Sequence, residues 1–218
     1  MTGQQLIDKL NYLVDDTTLD STRALELINA AYQGICSRRV WNFLVTSDTS
    51  NTISSSTTAY ALPSDFLLPV AARTYDATQD SYDEMAFVPF SARRKYHNSS
   101  GYVTIDKVND NLELTSSPSD DLIGDTIELD YTYLPTDVAL GTSPILPTAY
   151  HSILAYEAAK NFYYAEQSDL VTEGGFDARM AGEYNRLYSG LIDYDMQLGD
   201  ALDDNYVPQT DWSGLSDS

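Results

Sequence analysis

The chain has 218 residues, 43% of them hydrophobic, and a formal net charge of −21. It is long enough to bury one sizeable core, or a core plus a small satellite. That charge repels nucleic acid, whose capture needs clustered Lys and Arg, and no apolar run approaches the ~18 residues of a membrane span. The first residues, Met1 to Gln5, show neither a basic stretch nor an apolar core, so no leader peptide is expected. The lone Cys36 excludes an intrachain disulfide, suits a reducing compartment and reads as a small core residue.

In chain order, Thr2 is placed to cap a first helix whose apolar positions are Leu6, Leu10, Leu13 and Val14. Asp15 to Thr18 end it. Asp20 or Ser21 caps a second helix with a buried stripe of Ala24, Leu25, Ile28, Ala31, Tyr32, Ile35 and Cys36, and Arg38 and Arg39 near its end face solvent and suit its C-terminal dipole. From Trp41 the period changes. Thr and Ser crowd positions 46–58, and short strands joined by a turn are expected around Pro63. Further strands are predicted at 70–75, 85–88, 102–108, 112–115 and 126–134, with a short helical turn at 91–96. The last strand alternates best, with Ile127, Leu129, Tyr131 and Tyr133 on one face and Glu128, Asp130 and Thr132 on the other. With no helix-length crossovers, antiparallel hairpins are expected.

Leu146 to Tyr164 is the most telling stretch: a helix behind Pro147 with an inner stripe of Tyr150, Ile153, Leu154, Ala158, Phe162 and Ala165, running to about Gln167. It resumes a helical bundle interrupted at Trp41-Asn42-Phe43-Leu44. Gly174-Gly175 precede a fourth helix with a seam of Phe176, Met180, Tyr184, Leu187, Leu191, Tyr194 and Leu198. The expected fold class is therefore α+β: a mainly α-helical bundle of about four long helices (1–45 and 146–198), a β-rich antiparallel insertion (46–145) and an extended acidic tail (199–218). That tail has five Asp and no Lys or Arg, yet it holds Tyr206, Val207, Trp212 and Leu215, which argue for docking on a partner.

No reactive constellation is visible. His97 and His151 lie more than fifty residues apart without Cys or Glu at ligand spacing, so each reads as structural and no metal is expected. The acid clusters at Asp120-Asp121, Asp193 to Asp195 and Asp203-Asp204 lack the spacing of a calcium loop. Neither a glycine-rich phosphate loop nor a Gly-x-Ser-x-Gly elbow occurs, so no cofactor and no enzymatic activity are expected. Arg93-Arg94-Lys95 and Arg38-Arg39 are the only basic clusters; each is either a solvated turn or a contact with an acidic neighbour, including a second copy of the chain. Core filling accounts for about half of the 17 tyrosines, and the rest point to oligomer contacts.

The helix pair through Ala30-Ala31-Tyr32 to Trp41-Asn42-Phe43-Leu44, then Tyr60-Ala61-Leu62-Pro63-Ser64-Asp65-Phe66, the β-rich stretch, and Leu146-Pro147-Thr148-Ala149-Tyr150-His151 follow one another in an order that resembles the head-to-tail connector, or adaptor, proteins of tailed bacteriophages. The resemblance covers most of positions 1–198 and implies a non-catalytic virion protein of the neck, assembled in the host cytoplasm. It implies a ring of about twelve copies beneath the portal protein, which extends the DNA channel and offers a docking surface to tail or neck proteins. DNA would pass an acidic lumen without specific binding. Residues 200–218 would reach onto the portal, with Tyr206, Val207, Trp212 and Leu215 as anchors, and Arg38, Arg39, Arg93, Arg94 and Lys95 would serve contacts between copies. The alternatives are another neck or tail-completion protein, and an acidic carbohydrate-active enzyme with paired carboxylates.

Overall fold

The computed structural model describes residues 1–15, 19–166 and 178–202. Gly174-Gly175, Phe176, Asp203-Asp204 and the anchors Tyr206, Val207, Trp212 and Leu215 lie outside them. The described chain divides into two compact units, one made of 1–43 with 135–218 and the other of 44–134.

The first unit is helical. In α1 (Gly3–Val14), Thr2 and Gln5 form a reciprocal capping box, and Asp15 ends the helix in the left-handed region at φ 52°. In α2 (Ser21–Cys36), Asp20 accepts from the amides of Thr22 and Arg23; each such cap contributes about 1 kcal/mol. The buried stripe of α2 runs through Leu27, where Leu25 was expected; Leu25 is half-buried. A 3-10 turn at Thr148–Tyr150 leads into α3 (Ser152–Glu166). That helix buries Ile153, Leu154, Ala155, Ala158, Ala159, Phe162 and Tyr163, because α1, α2 and the last helix all pack on it. Its alanines allow this close approach. The last helix, α4 (Ala178–Leu202), buries Tyr184, Leu187, Leu191 and Asp195. Tyr194, expected on that seam, is 40% exposed and touches Tyr150 with ring centroids 6.1 Å apart.

The second unit overturns the expectation of a mainly helical bundle. The protein is a mixed α/β chain, with four helices of seven or more residues among the described residues and one seven-stranded, near-barrel sheet. The strands are β1 (Val45–Thr52), β2 (Ala59–Ala61), β3 (Phe66–Asp76), β4 (Ser81–Phe87), β5 (Tyr102–Asp106), β6 (Asn111–Leu114) and β7 (Thr126–Tyr133), in the order β1-β7-β3-β4-β5-β6-β2. The underestimate has identifiable causes. β1 is mostly Ser, Thr, Asp and Asn and largely exposed, so it shows no apolar alternation; its ladder with β7 holds it in place. β3 runs straight through Pro69, which is tolerated because register shifts flank it on the β7 side. One junction is parallel, Ala86 beside Tyr102 and Phe87 beside Val103 on β4 and β5, so the sheet is not wholly antiparallel. A 3-10 helix at Phe90–Lys95 lies in the connection.

Two hairpins repeat one device. Asp76 accepts from the amides of Thr78 and Gln79, and Asp80 takes φ 52° before β4. Asp106 accepts from Val108 and Asn109, and Asp110 takes φ 51° before β6. The leading carboxylate closes the turn, and the final Asp accepts a left-handed backbone at low cost. The core of this unit gathers Ile53, Tyr60, Val103, Leu112, Ile127 and Leu129 from all round the sheet. Its terminal strands meet: Asn51 Nδ2 on β1 donates to the Ala61 carbonyl on β2 at 3.2 Å. Lys107, in the β5–β6 hairpin, donates to the Leu67 carbonyl at 2.9 Å and caps the Phe66 ring.

Candidate functional site

The densest polar arrangement lies in the helical unit, beyond the end of α2. Trp41 is fully buried and its indole N–H donates back to the Ile35 carbonyl at 2.9 Å, which folds residues 37–41 against the helix they leave. Arg38 then donates to Glu157 Oε1 of α3 and to the Tyr184 hydroxyl of α4, each at 2.5 Å. Lys160, one turn on, donates to the same carboxylate at 2.9 Å. The Glu157 side chain is only 5% exposed. Burial alone would raise its pKa, but the hydrogen bonds from Lys160 and Arg38 outweigh that and hold it below the usual carboxylate range. The buried Tyr184 phenol is pushed up to about 12, by burial first and then by the Glu157 charge, so it remains protonated.

The second centre is Asp195 of α4, whose side chain is 0% exposed. Its Oδ1 accepts the Asn42 backbone amide at 2.7 Å, and Asn42 Nδ2 donates to the Asp195 carbonyl at 3.0 Å. Arg39 Nη2 stands 3.6 Å from Oδ2 while its guanidinium lies over the Trp41 ring. Burial raises the Asp195 pKa, and the Asn42 amide and the Arg39 charge offset only part of that. The carboxylate serves as the cap of the 3-10 turn Asn42–Leu44. Gly199 completes the contact, because a Cβ there would come within 2.7 Å of Asn42 Nδ2. Sequence reading gave Glu157 and the Asn42 side chain no role and weighed Asp195 only as part of an acidic cluster. The one available signal was that Asp195 continues the four-residue spacing of Leu187 and Leu191, although the seam read from the sequence passes through Tyr194 instead.

The five cations expected at contacts between copies therefore separate. Arg38 and Arg39 bind acids of their own chain, and Arg93 lies 3.6 Å from Glu113 with its guanidinium against Phe90. Arg94 and Lys95 are exposed and have no carboxylate partner among the described residues. His151 is buried, with Nε2 donating to the Leu146 carbonyl at 2.7 Å. Its pKa is lowered, chiefly by burial. His97 is an exposed turn residue whose Nδ1 meets the Arg94 carbonyl.

A cavity of about 220 Å³ opens in the sheet unit between Met85, Tyr102, Leu122 and the acids Asp83, Glu84 and Asp121. Nearby, Asp125 has its pKa raised, by burial first and then by the charges of Asp76, Asp83 and Asp121. Among the described residues no three His, Cys, Asp or Glu side chains converge as metal ligands, and no helix is long and apolar enough to cross a membrane. Chemically, Glu157 is held ionised between two cations and Tyr184 is held neutral, so this centre fixes helices in place and has no proton to exchange near neutral pH.

No curated protein matches the chain. The family model described as SU10 adaptor protein matches residues 1–210, nearly the whole length. The chain belongs to the SU10 adaptor protein family and so stands among the bacteriophage adaptor proteins.

Proposed function

We propose that this protein is the head-to-tail adaptor of a tailed phage: a non-catalytic ring of about twelve copies under the portal, in the virion neck, extending the DNA channel and giving the tail its docking surface. The supporting observation is the family match across residues 1–210. The net charge of −21 supports a lumen lined by acidic side chains, over which DNA slides without adhering. In this reading residues 200–218 dock on the portal through Tyr206, Val207, Trp212 and Leu215, and the uncommitted cations Arg94 and Lys95 meet acids of a neighbouring copy.

Electron microscopy of the purified protein mixed with portal rings tests the proposal. Rings stacked on the portal in register are the expected result. A monomer that ignores the portal, or a ring that binds only tail tubes, would overturn it. Deleting residues 200–218 should abolish portal binding while leaving the circular dichroism spectrum of the folded protein in place. A basic lumen in the reconstruction would defeat the sliding-surface argument.

A further inference from the structure

The chain leaves the helical unit after Phe43 and re-enters it at Pro135. The helical unit grips both crossing segments by side chains that bind main chain. On the return segment, Asn29 of α2 bonds both ways with Val138, at 3.1 and 2.8 Å, and Gln33 donates to the Pro135 carbonyl at 2.8 Å. On the outgoing segment Trp41 bonds back to Ile35 of α2 and Arg38 bonds Glu157 of α3, and the rest of the grip comes from α4. Asp195 binds the Asn42 amide, and Arg38 lies over the Tyr188 ring at 5.8 Å and bonds Tyr184. The Trp41 ring meets Tyr188 edge-on at 6.3 Å, and Gly199 admits the Asn42 side chain. α2, whose Asn29 and Gln33 hold the return segment, runs directly into the outgoing one and packs against α1 and α3. α4 is different: much of its hold on residues 38–42 is polar and aromatic, centred on the carboxylate of Asp195.

We propose that α4 is a releasable clamp on the outgoing crossing, so that docking of α4 and order in residues 38–43 are one coupled event. Coupling of this kind is reciprocal: whatever loosens residues 38–43 loosens α4, and the reverse. This inference goes beyond the adaptor reading and does not depend on it.

Hydrogen exchange read by mass spectrometry on the full chain tests it. In Asp195→Ala, exchange should rise roughly ten-fold or more both in the peptide spanning 38–43 and in α4 amides 184–199, with residues 135–142 and α1 unchanged. Asn42→Ala, which leaves α4 itself intact, should speed exchange in α4 at 184–191, far from the substituted side chain. Gln33→Ala should affect 135–142 alone. Wild-type protection of α4 in Asn42→Ala, or an even acceleration through the whole helical unit, would overturn the clamp. If Asp195→Ala does not fold, the Asn42→Ala result decides the matter by itself.

Discussion

The two units bury different kinds of polar group. The helical unit encloses His151, Glu157 and Asp195, whereas the sheet unit encloses Thr74, Thr104, Thr132 and Asp106. A helix presents its whole circumference to its neighbours, and α4 needs something more specific than apolar area to fix its rotation and rise against α2 and α3. The ion pairs at Glu157 and Asp195 supply that address. A strand in a sheet is already positioned by its ladder of backbone hydrogen bonds, so the sheet unit relies on alternation and closes its turns with Asp. The charges buried in the first unit tie helices together; in the second, Arg73 pairs with Glu128 and Asp130 across neighbouring strands, and the acids Asp83, Glu84 and Asp121 line a cavity.

Substitutions can break or sharpen this contrast. The largest effects should come from the cores, where the units behave alike: Trp41→Ala costs about 3–5 kcal/mol and Ile127→Ala about 2–5 kcal/mol in denaturant titrations. Equal insensitivity of either unit would contradict the burial pattern. Next, Glu157→Gln leaves Arg38 and Lys160 without their shared carboxylate. Both cations remain partly exposed, with Arg38 at 37%, so water screens the loss and a cost of about 1–2 kcal/mol is expected rather than the full penalty of an isolated buried charge.

The helical unit should contribute to the acid response through His151. The folded pKa of His151 lies below its ordinary 6.5, so the fold favours neutral imidazole. Its contribution is complete above pH 6.5 and is lost as pH falls from there through the lowered folded value. Denaturation midpoints of wild type and His151→Gln, compared well above and well below pH 6.5, should converge on the acid side; a constant gap would exclude His151 as the sensor. The smallest effect is in the sheet: Thr132 Oγ1 is buried without a hydrogen-bond partner among the described residues. Thr132→Val removes that unmet group at nearly constant shape and should be neutral or stabilising by up to about 1 kcal/mol. A clear loss of stability would mean the hydroxyl has a partner after all.

How much of this was legible in the sequence follows from the same contrast. Helices with a cap and an apolar stripe, such as Thr2 with Leu6 and Leu10 or Asp20 with Ile28 and Ala31, announce themselves because the signal is local. β7 did so through Ile127, Leu129 and Tyr131. β1 did not, since Val45 to Thr52 is placed by pairing with a strand some eighty residues away, and β3 was shortened because a proline normally ends a strand. The polar centre was invisible for a related reason. Arg38 and Arg39 read as a solvated helix end, and only the return of α3 and α4 shows that Glu157 and Asp195 lie within reach. The adaptor family was legible from short motifs in their order, whereas the weight of the sheet in the fold was not.

The near-closure of the sheet carries one more consequence. β1 and β2 are the two terminal strands of the order, and the Asn51 to Ala61 hydrogen bond brings them edge to edge. A strand at the end of an open sheet offers unpaired amides and carbonyls to any passing chain. Here each open edge occupies the space where an intruding strand would pair with the other, and β1 is dressed in Ser, Thr, Asp and Asn. The fold thereby protects itself against strand exchange, the hazard that grows fastest when many identical chains accumulate at one place.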